Sequence, residues 1–156
     1  MKKIYDVNID WNKVSEGLGL PKDIVIEWFK DGRRLGSIGE YYHAKMEGGN
    51  RQKENSKFDV LETKNVKSEV RAITDKVSFA SSKEVGYGRK VTEEGFNEKL
   101  NSIDRYVLVD ARKICNGQLS MIEITKEDVY NLKLGKNKSI SSKKFFNVYD
   151  RTEPSI

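Results

Sequence analysis

The chain has 156 residues, 34% of them charged and 37% hydrophobic, with a formal net charge of +5. That length suits one domain with a real core, and a 10% share of aromatics excludes wholesale disorder. A single cysteine, Cys115, excludes an intrachain disulfide framework, and no apolar run approaches the length of a membrane span.

Met1-Lys2-Lys3 opens like a secretory signal, but Asp6, Asn8 and Asp10 interrupt any apolar stretch behind it. The lone cysteine points to a reducing, cytoplasmic setting, and no membrane partner is expected. Residues 1–48 read as an N-terminal helical segment. Asp10 to Gly17 predicts a short helix with Asp10 as N-cap. Pro21 suits the start of a second helix, Lys22 to Lys30, with Val25, Trp28 and Phe29 facing inward. A third helix is expected to begin near Ser37, where Ser37-Ile38-Gly39-Glu40 matches a capping box. Gly48-Gly49 ends it. His43 lies one turn beyond Glu40 and is expected to be solvated.

Asn50 to Lys57 is polar and reads as a loop. Lys57-Phe58-Asp59-Val60-Leu61 and Lys67 to Thr74 then read as two strands of a hairpin. After Thr74 the pattern loosens, and Ser78 to Lys90 predicts a long exposed loop. Thr92 is a good N-cap with Glu93 and Glu94 behind it, and Phe96, Leu100 and Ile103 mark a helix face. Arg105 to Arg112 reads as a buried strand. Asn116-Gly117 is a hairpin signal leading into a strand at Leu119 to Ile124. Thr125 caps a short helix to about Leu132, and Phe145 to Val148 is a last strand candidate. The order predicts an α/β (α+β) fold, a mixed central β-sheet flanked by helices.

The central hairpin carries the chemistry. If its loop is Glu62 to Val66, Asp59 falls opposite Glu69, and Asp59, Glu69 and Arg71 share one face. Two carboxylates so placed suit a hard cation such as Mg²⁺, which polarises a phosphoryl group and activates water for attack. Taken alone, the same pattern is also two exposed acids on a hairpin. A rival reading centres on Glu62-Thr63-Lys64, whose partner acid is harder to find upstream.

With Glu40 in a helix before it, Phe58-Asp59 on one strand, Glu69-Val70-Arg71 on the next, and a helix and strand following, the chain resembles the PD-(D/E)XK nuclease superfamily over about residues 35 to 125. The resemblance implies a restriction-endonuclease-like fold over residues 1–156 and Mg²⁺-dependent cleavage of double-stranded DNA by a homodimer, in the manner of a small type II restriction enzyme. It implies Asp59 and Glu69 as metal ligands, with Arg71 and Glu40 as further catalytic residues. Two positions depart from the pattern. Phe58 stands where the family has Pro, and Arg71 where it has Lys. An arginine keeps the positive charge but does not serve as a general base.

Two further stretches suit a nucleic-acid surface. Ser81, Ser82, Lys83, Tyr87, Arg89 and Lys90 combine hydroxyls, an aromatic ring and cations, which read base edges and hold phosphates. Lys143 and Lys144 belong to a basic C-terminal stretch suited to the phosphate backbone. The alternatives are a DNA-binding module of the same fold that has lost catalysis, and a small basic RNA-binding protein.

Overall fold

Tyr106 to Val109 and Met121 to Ile122 are almost wholly buried, and they form the middle of the fold. The computed structural model describes residues 1–54, 56–80 and 91–153. Strand β1 is Lys2–Asn8, followed by helices α1 (Trp11–Leu18), α2 (Lys22–Phe29) and α3 (Gly32–Met46). Strands β2 (Asn50–Arg51), β3 (Val60–Leu61), β4 (Lys67–Ala72) and β5 (Lys76–Ser78) come next. Then come α4 (Glu93–Ser102), β6 (Arg105–Asp110), β7 (Gln118–Ile124), α5 (Lys126–Asn131), β8 (Ser139–Ser141) and α6 (Ser142–Thr152).

The main sheet runs β1-β7-β6-β4-β3-β2, and β5 pairs with β8 in a second, small sheet. Strands β4 and β6 are parallel, and the other pairings are antiparallel. The fold is therefore mixed α and β with a mixed central sheet, as the element order predicts.

Alternation sorts the sheet residues onto two faces. Tyr106, Leu108, Ile122 and Ile124 pack with Phe96 and Leu100 of α4 and with Phe145 and Tyr149 of α6. Val70, Val107, Val109 and Met121 pack on the other face with Trp11, Val25 and Leu35. Helix α3 crosses that second face closely. A Cβ on Gly39 would lie 2.5 Å from Val109 Cγ2 and 3.2 Å from Val70 Cγ1, so glycine is what permits the approach. The next residue, Glu40, is thereby brought to the sheet's edge.

Several expectations need correction. The first 48 residues are not all helical, because Lys2–Asn8 is an edge strand paired with β7. Its alternation is hidden by charged residues, which commonly blunt a free edge. Helix α3 starts at Gly32, capped by the Asp31 side chain, so Ser37 lies in its interior and no Ser37–Glu40 capping box forms. Asn50–Arg51 pairs with β3 where a loop was expected. Phe79 and Ala80 are buried, although they fall in the expected exposed loop. Asn116-Gly117 makes no two-residue hairpin; Ile114–Asn116 is a 3₁₀ turn, with Gly117 in the left-handed region at φ 78°. Phe145 to Val148 is helical, since the Ser141 cap and the Phe145/Tyr149 spacing favour α6.

His43 is also corrected. It is fully buried, with Nδ1 2.7 Å from the Tyr5 hydroxyl and Nε2 2.7 Å from Glu62 Oε1. Glu62 also accepts hydrogen bonds from Ser68 and from Arg105, the latter at 2.6 Å. Burial pushes the Glu62 carboxyl up, but the hydrogen bonds from Ser68, His43 and Arg105 outweigh it and hold it below its ordinary value. That stability is present above the ordinary carboxylate range and is lost as pH falls through the depressed pKa. Replacing Glu62 by Ala will destabilise the protein by about 3 kcal/mol in urea at pH 7, because it strands a buried cation and imidazole. Arg105 keeps its ion pairs to Glu47 and Glu123, so a larger loss is not expected. A cost under about 1 kcal/mol would show that the network is dispensable.

Candidate active site

Strand β3 has only two residues, and its register pairs Val60 with Ser68 and Leu61 with Lys67. Among the described residues, the outer edge of β4 beyond Ser68 thus lacks a strand neighbour. Asp59 fills part of the gap. Its N–H donates to the Ser68 carbonyl at 3.0 Å, and its Oδ2 accepts from the Val70 N–H at 2.9 Å. An open sheet edge needs its polar groups satisfied, and here a carboxylate does so.

A cleft of about 420 Å³ opens at this edge. Glu40, Asp59, Glu69 and Arg71 all line it, so the structure brings the four expected catalytic residues together. Glu69 and Arg71 come from alternate positions of β4, Glu40 from α3, and Asp59 from just before β3.

Sequence reasoning missed Lys99. It lies on α4 between Phe96 and Leu100, and it is only 9% exposed. Its Nζ is 2.8 Å from Glu69 Oε2 and donates to the Lys57 carbonyl at 3.0 Å. The available signal was its spacing: three residues after Phe96, it shares the apolar face of a helix. Arg33, Arg51 and Lys53 also line the cleft. Arg51 was read as loop, yet its Nε donates to Glu40 Oε2 at 2.6 Å.

The electrostatics are tight. Glu69 is 4% exposed. Burial and then the neighbouring Asp59 charge push its carboxyl up to about 7, against the pull of Arg71 and Lys99. Glu40 is raised by burial and by Asp59, opposed by its hydrogen bond from Arg51. Arg71 Nη2 stands 3.3 Å from Glu69 Oε1. Glu69 Oε2 and Arg71 Nη2 are held by ion pairs, to Lys99 and to Glu69 Oε1, and Arg71 Nε is buried with no hydrogen-bond partner among the described residues. Buried polar atoms without a hydrogen bond are uncommon in folded proteins.

Among the described residues, no group of three or more His, Cys, Asp or Glu side chains converges to hold a metal alone. Asp59 and Glu69 nevertheless fit a hard cation. Mg²⁺ takes one or two carboxylates and fills its other positions with water and phosphate. A cation would also relieve the repulsion between Asp59 and Glu69 that helps to raise the Glu69 carboxyl.

The remaining predicted residues lie elsewhere. Lys64 is exposed in the turn after β3, and Glu62 is committed to His43 and Arg105, so the Glu62-Thr63-Lys64 alternative does not reach the cleft. Lys143 and Lys144 are exposed in the first turn of α6, and Lys143 lines a separate cavity of about 390 Å³ with Lys30 and Arg112. Ser81, Ser82, Lys83, Tyr87, Arg89 and Lys90 lie outside the described residues. No helix among the described residues is long and apolar enough to cross a membrane. Compared with family models, curated proteins and solved structures, the chain matches none.

Proposed function

We propose that the chain is a Mg²⁺-dependent DNA endonuclease of the PD-(D/E)XK type, working in the cytoplasm, with the β4 edge cleft as its active site. The observation that carries this reading is the convergence of Asp59, the buried Glu69, Arg71 and Lys99 on one cleft at the open edge of β4. Asp59 and Glu69 would hold the metal. When bound, it would supply Lewis-acid polarisation of the phosphate and of the attacking water. The protein's own groups do the rest. Arg71 and Lys99 place positive charge where the phosphorane's negative charge develops, preorganised by their contacts with Glu69. Glu40 holds Arg51 at the cleft wall, within reach of a flanking phosphate.

Hydrolysis adds water across one phosphodiester bond, leaving a hydroxyl on one product and a phosphate on the other. Cutting both strands of a duplex calls for two such sites, hence a pair of chains. The basic α6 turn of Lys143 and Lys144 would steer the DNA backbone.

One observation favours a second reading, a binding module without catalysis. Each cleft carboxylate already has a partner: Arg51 for Glu40, Lys99 and Arg71 for Glu69, and the Val70 N–H for Asp59. Plasmid and phage DNA incubated with the protein, with Mg²⁺ and with chelator, separates the two. The nuclease reading expects Mg²⁺-dependent bands that Asp59→Asn abolishes while DNA affinity persists. Intact DNA under every condition would favour the binding module.

A further inference from the structure

Beside the cleft stand two aromatic rings that the core does not use. Tyr41, the neighbour of Glu40 on α3, is 61% exposed, and Trp28 at the end of α2 is 48% exposed. Each carries a guanidinium on its ring: Arg51 Cζ lies 4.7 Å from the Tyr41 centroid, and Arg34 Cζ lies 4.3 Å from that of Trp28. Arg51 is also the residue that grips Glu40 inside the cleft. Arg34 and Tyr41 are seven residues apart on α3, two turns or about 10.5 Å. Arg33 and Glu40, with the same spacing, line the cleft itself. Helix α3 therefore presents a row of cleft-lining groups and, beside it, a row with Tyr41 and with Arg34, the guanidinium that lies on Trp28 of α2.

With 61% and 48% of their surface exposed, these rings have area free for a further planar group to stack on. In an intact duplex the bases stack on one another and hide their π faces. An unpaired strand offers those faces, and stacking on aromatic side chains is how single strands are held without sequence preference. The charge is compatible: Arg33, Arg51, Lys53, Arg71 and Lys99 line the cleft against Glu40, Glu54, Asp59 and Glu69, and Arg34 stands beside it. So is the burial: Glu69 lines the cleft yet is only 4% exposed, and a flexible strand reaches an inset group more readily than a stiff duplex.

Resting on the nuclease reading above, we infer that the substrate strand reaches Glu69 unpaired, with its bases stacked on Tyr41 and Trp28. DNA with a single-stranded or locally opened segment is then the preferred ligand. The exposed Leu18, Leu20 and Ile24 near Trp28 suggest a competing occupant, a second protein surface, and the test includes it.

The chain has two tryptophans, and Trp11 is only 4% exposed, so Trp28 reports on its own surroundings. The protein in chelator is titrated with oligo(dT) and with a blunt duplex of equal length, following tryptophan fluorescence and anisotropy of labelled DNA. Saturable quenching by oligo(dT) is expected, with affinity roughly tenfold or more above the duplex. Tyr41→Ala and Trp28→Leu should each weaken oligo(dT) binding roughly tenfold, and Tyr41→Phe, which keeps the ring, should not. Equal or tighter duplex binding would overturn the inference. Unchanged oligo(dT) affinity in both variants would overturn it too, whether or not Trp28→Leu alters the oligomeric state, because the rings would then serve a protein contact. Binding is read without metal and cleavage with Mg²⁺. A protein that cuts duplex but does not prefer single strands sinks this inference alone. One that prefers oligo(dT) yet never cuts sinks the nuclease reading instead.

Discussion

If the proposed nuclease activity is right, replacing Glu69 by Gln will abolish Mg²⁺-dependent cleavage, and in metal-free solution above pH 7 it will make the protein more stable. Both effects come from one cause. Burial and the Asp59 charge raise the Glu69 carboxyl from its ordinary 4.5 to about 7. Below pH 4.5 the group is neutral folded or unfolded and costs nothing. Between 4.5 and 7 the unfolded chain ionises while the native site keeps its proton, so stability falls as pH rises. Above 7 the native site holds a charge it disfavours, at about 3 kcal/mol. Glutamine resembles the neutral acid and escapes that cost. Urea unfolding in chelator should therefore show Glu69→Gln stabilised by up to about 3 kcal/mol at pH 8 and unchanged at pH 4. Adding Mg²⁺ should stabilise the wild type at pH 8, by mass action on an ionised site, and leave the variant unmoved. Cleavage should drop on the order of 10²-fold or more, since the amide is a poor ligand for a hard cation. A variant that cuts near the wild-type rate, or that loses stability equally at both pH values, would make Glu69 a structural residue.

The hairpin could be read from the sequence because its two determinants are local. Once the loop is taken as Glu62 to Val66 the register follows, and Asp59, Glu69 and Arg71 do line one cleft, although Asp59 lies just before β3 and not in it as expected. Glu40 also reaches the cleft, but not through the expected capping box. Its position comes from Gly39, which lets α3 lie close to Val70 and Val109. That is a tertiary contact, and the local pattern around Ser37 pointed to a cap that Asp31 actually provides.

What stayed hidden depended on distant partners. His43 looks like a surface residue until Tyr5 and Glu62 close on it from β1 and the end of β3. Strand β1 was obscured because only Val7 in it is buried. Arg51 and Lys99 sit on elements that meet Glu40 and Glu69 only after the sheet forms. A lysine on a helix is solvent-facing by default, and only its place between Phe96 and Leu100 set Lys99 apart.

Lys99 bears on the departure at position 71. Where the nuclease pattern that the chain resembles has a lysine on the strand, this chain has Arg71, and the structure adds a lysine from α4 at the same carboxylate. The expected division is that Lys99 and Arg71 both stabilise the developing phosphate charge, and neither suffices. Lys99 also donates to the Lys57 carbonyl, two residues before Asp59, so an alanine there risks moving the metal ligand as well. Lys99→Met keeps the length and the apolar stem, and it isolates the charge. It should lower the single-turnover rate on the order of 10²-fold, with some stability lost alongside the ion pair to Glu69 and the hydrogen bond to Lys57, so the rate is read where urea unfolding shows the variant folded. Arg71→Ala should lose a similar factor, and Arg71→Lys should retain measurable activity, because a compact cation still sits beside Glu69. The double variant decides whether they act together. Groups that stabilise the same charge couple, so its loss should fall well short of the product of the single losses. Strict additivity would place them at different steps. Full activity in Lys99→Met would leave Arg71 as the sole cation at Glu69 and return the missing lysine to the cleft's outer wall, where Lys53 is the remaining lysine among its lining residues.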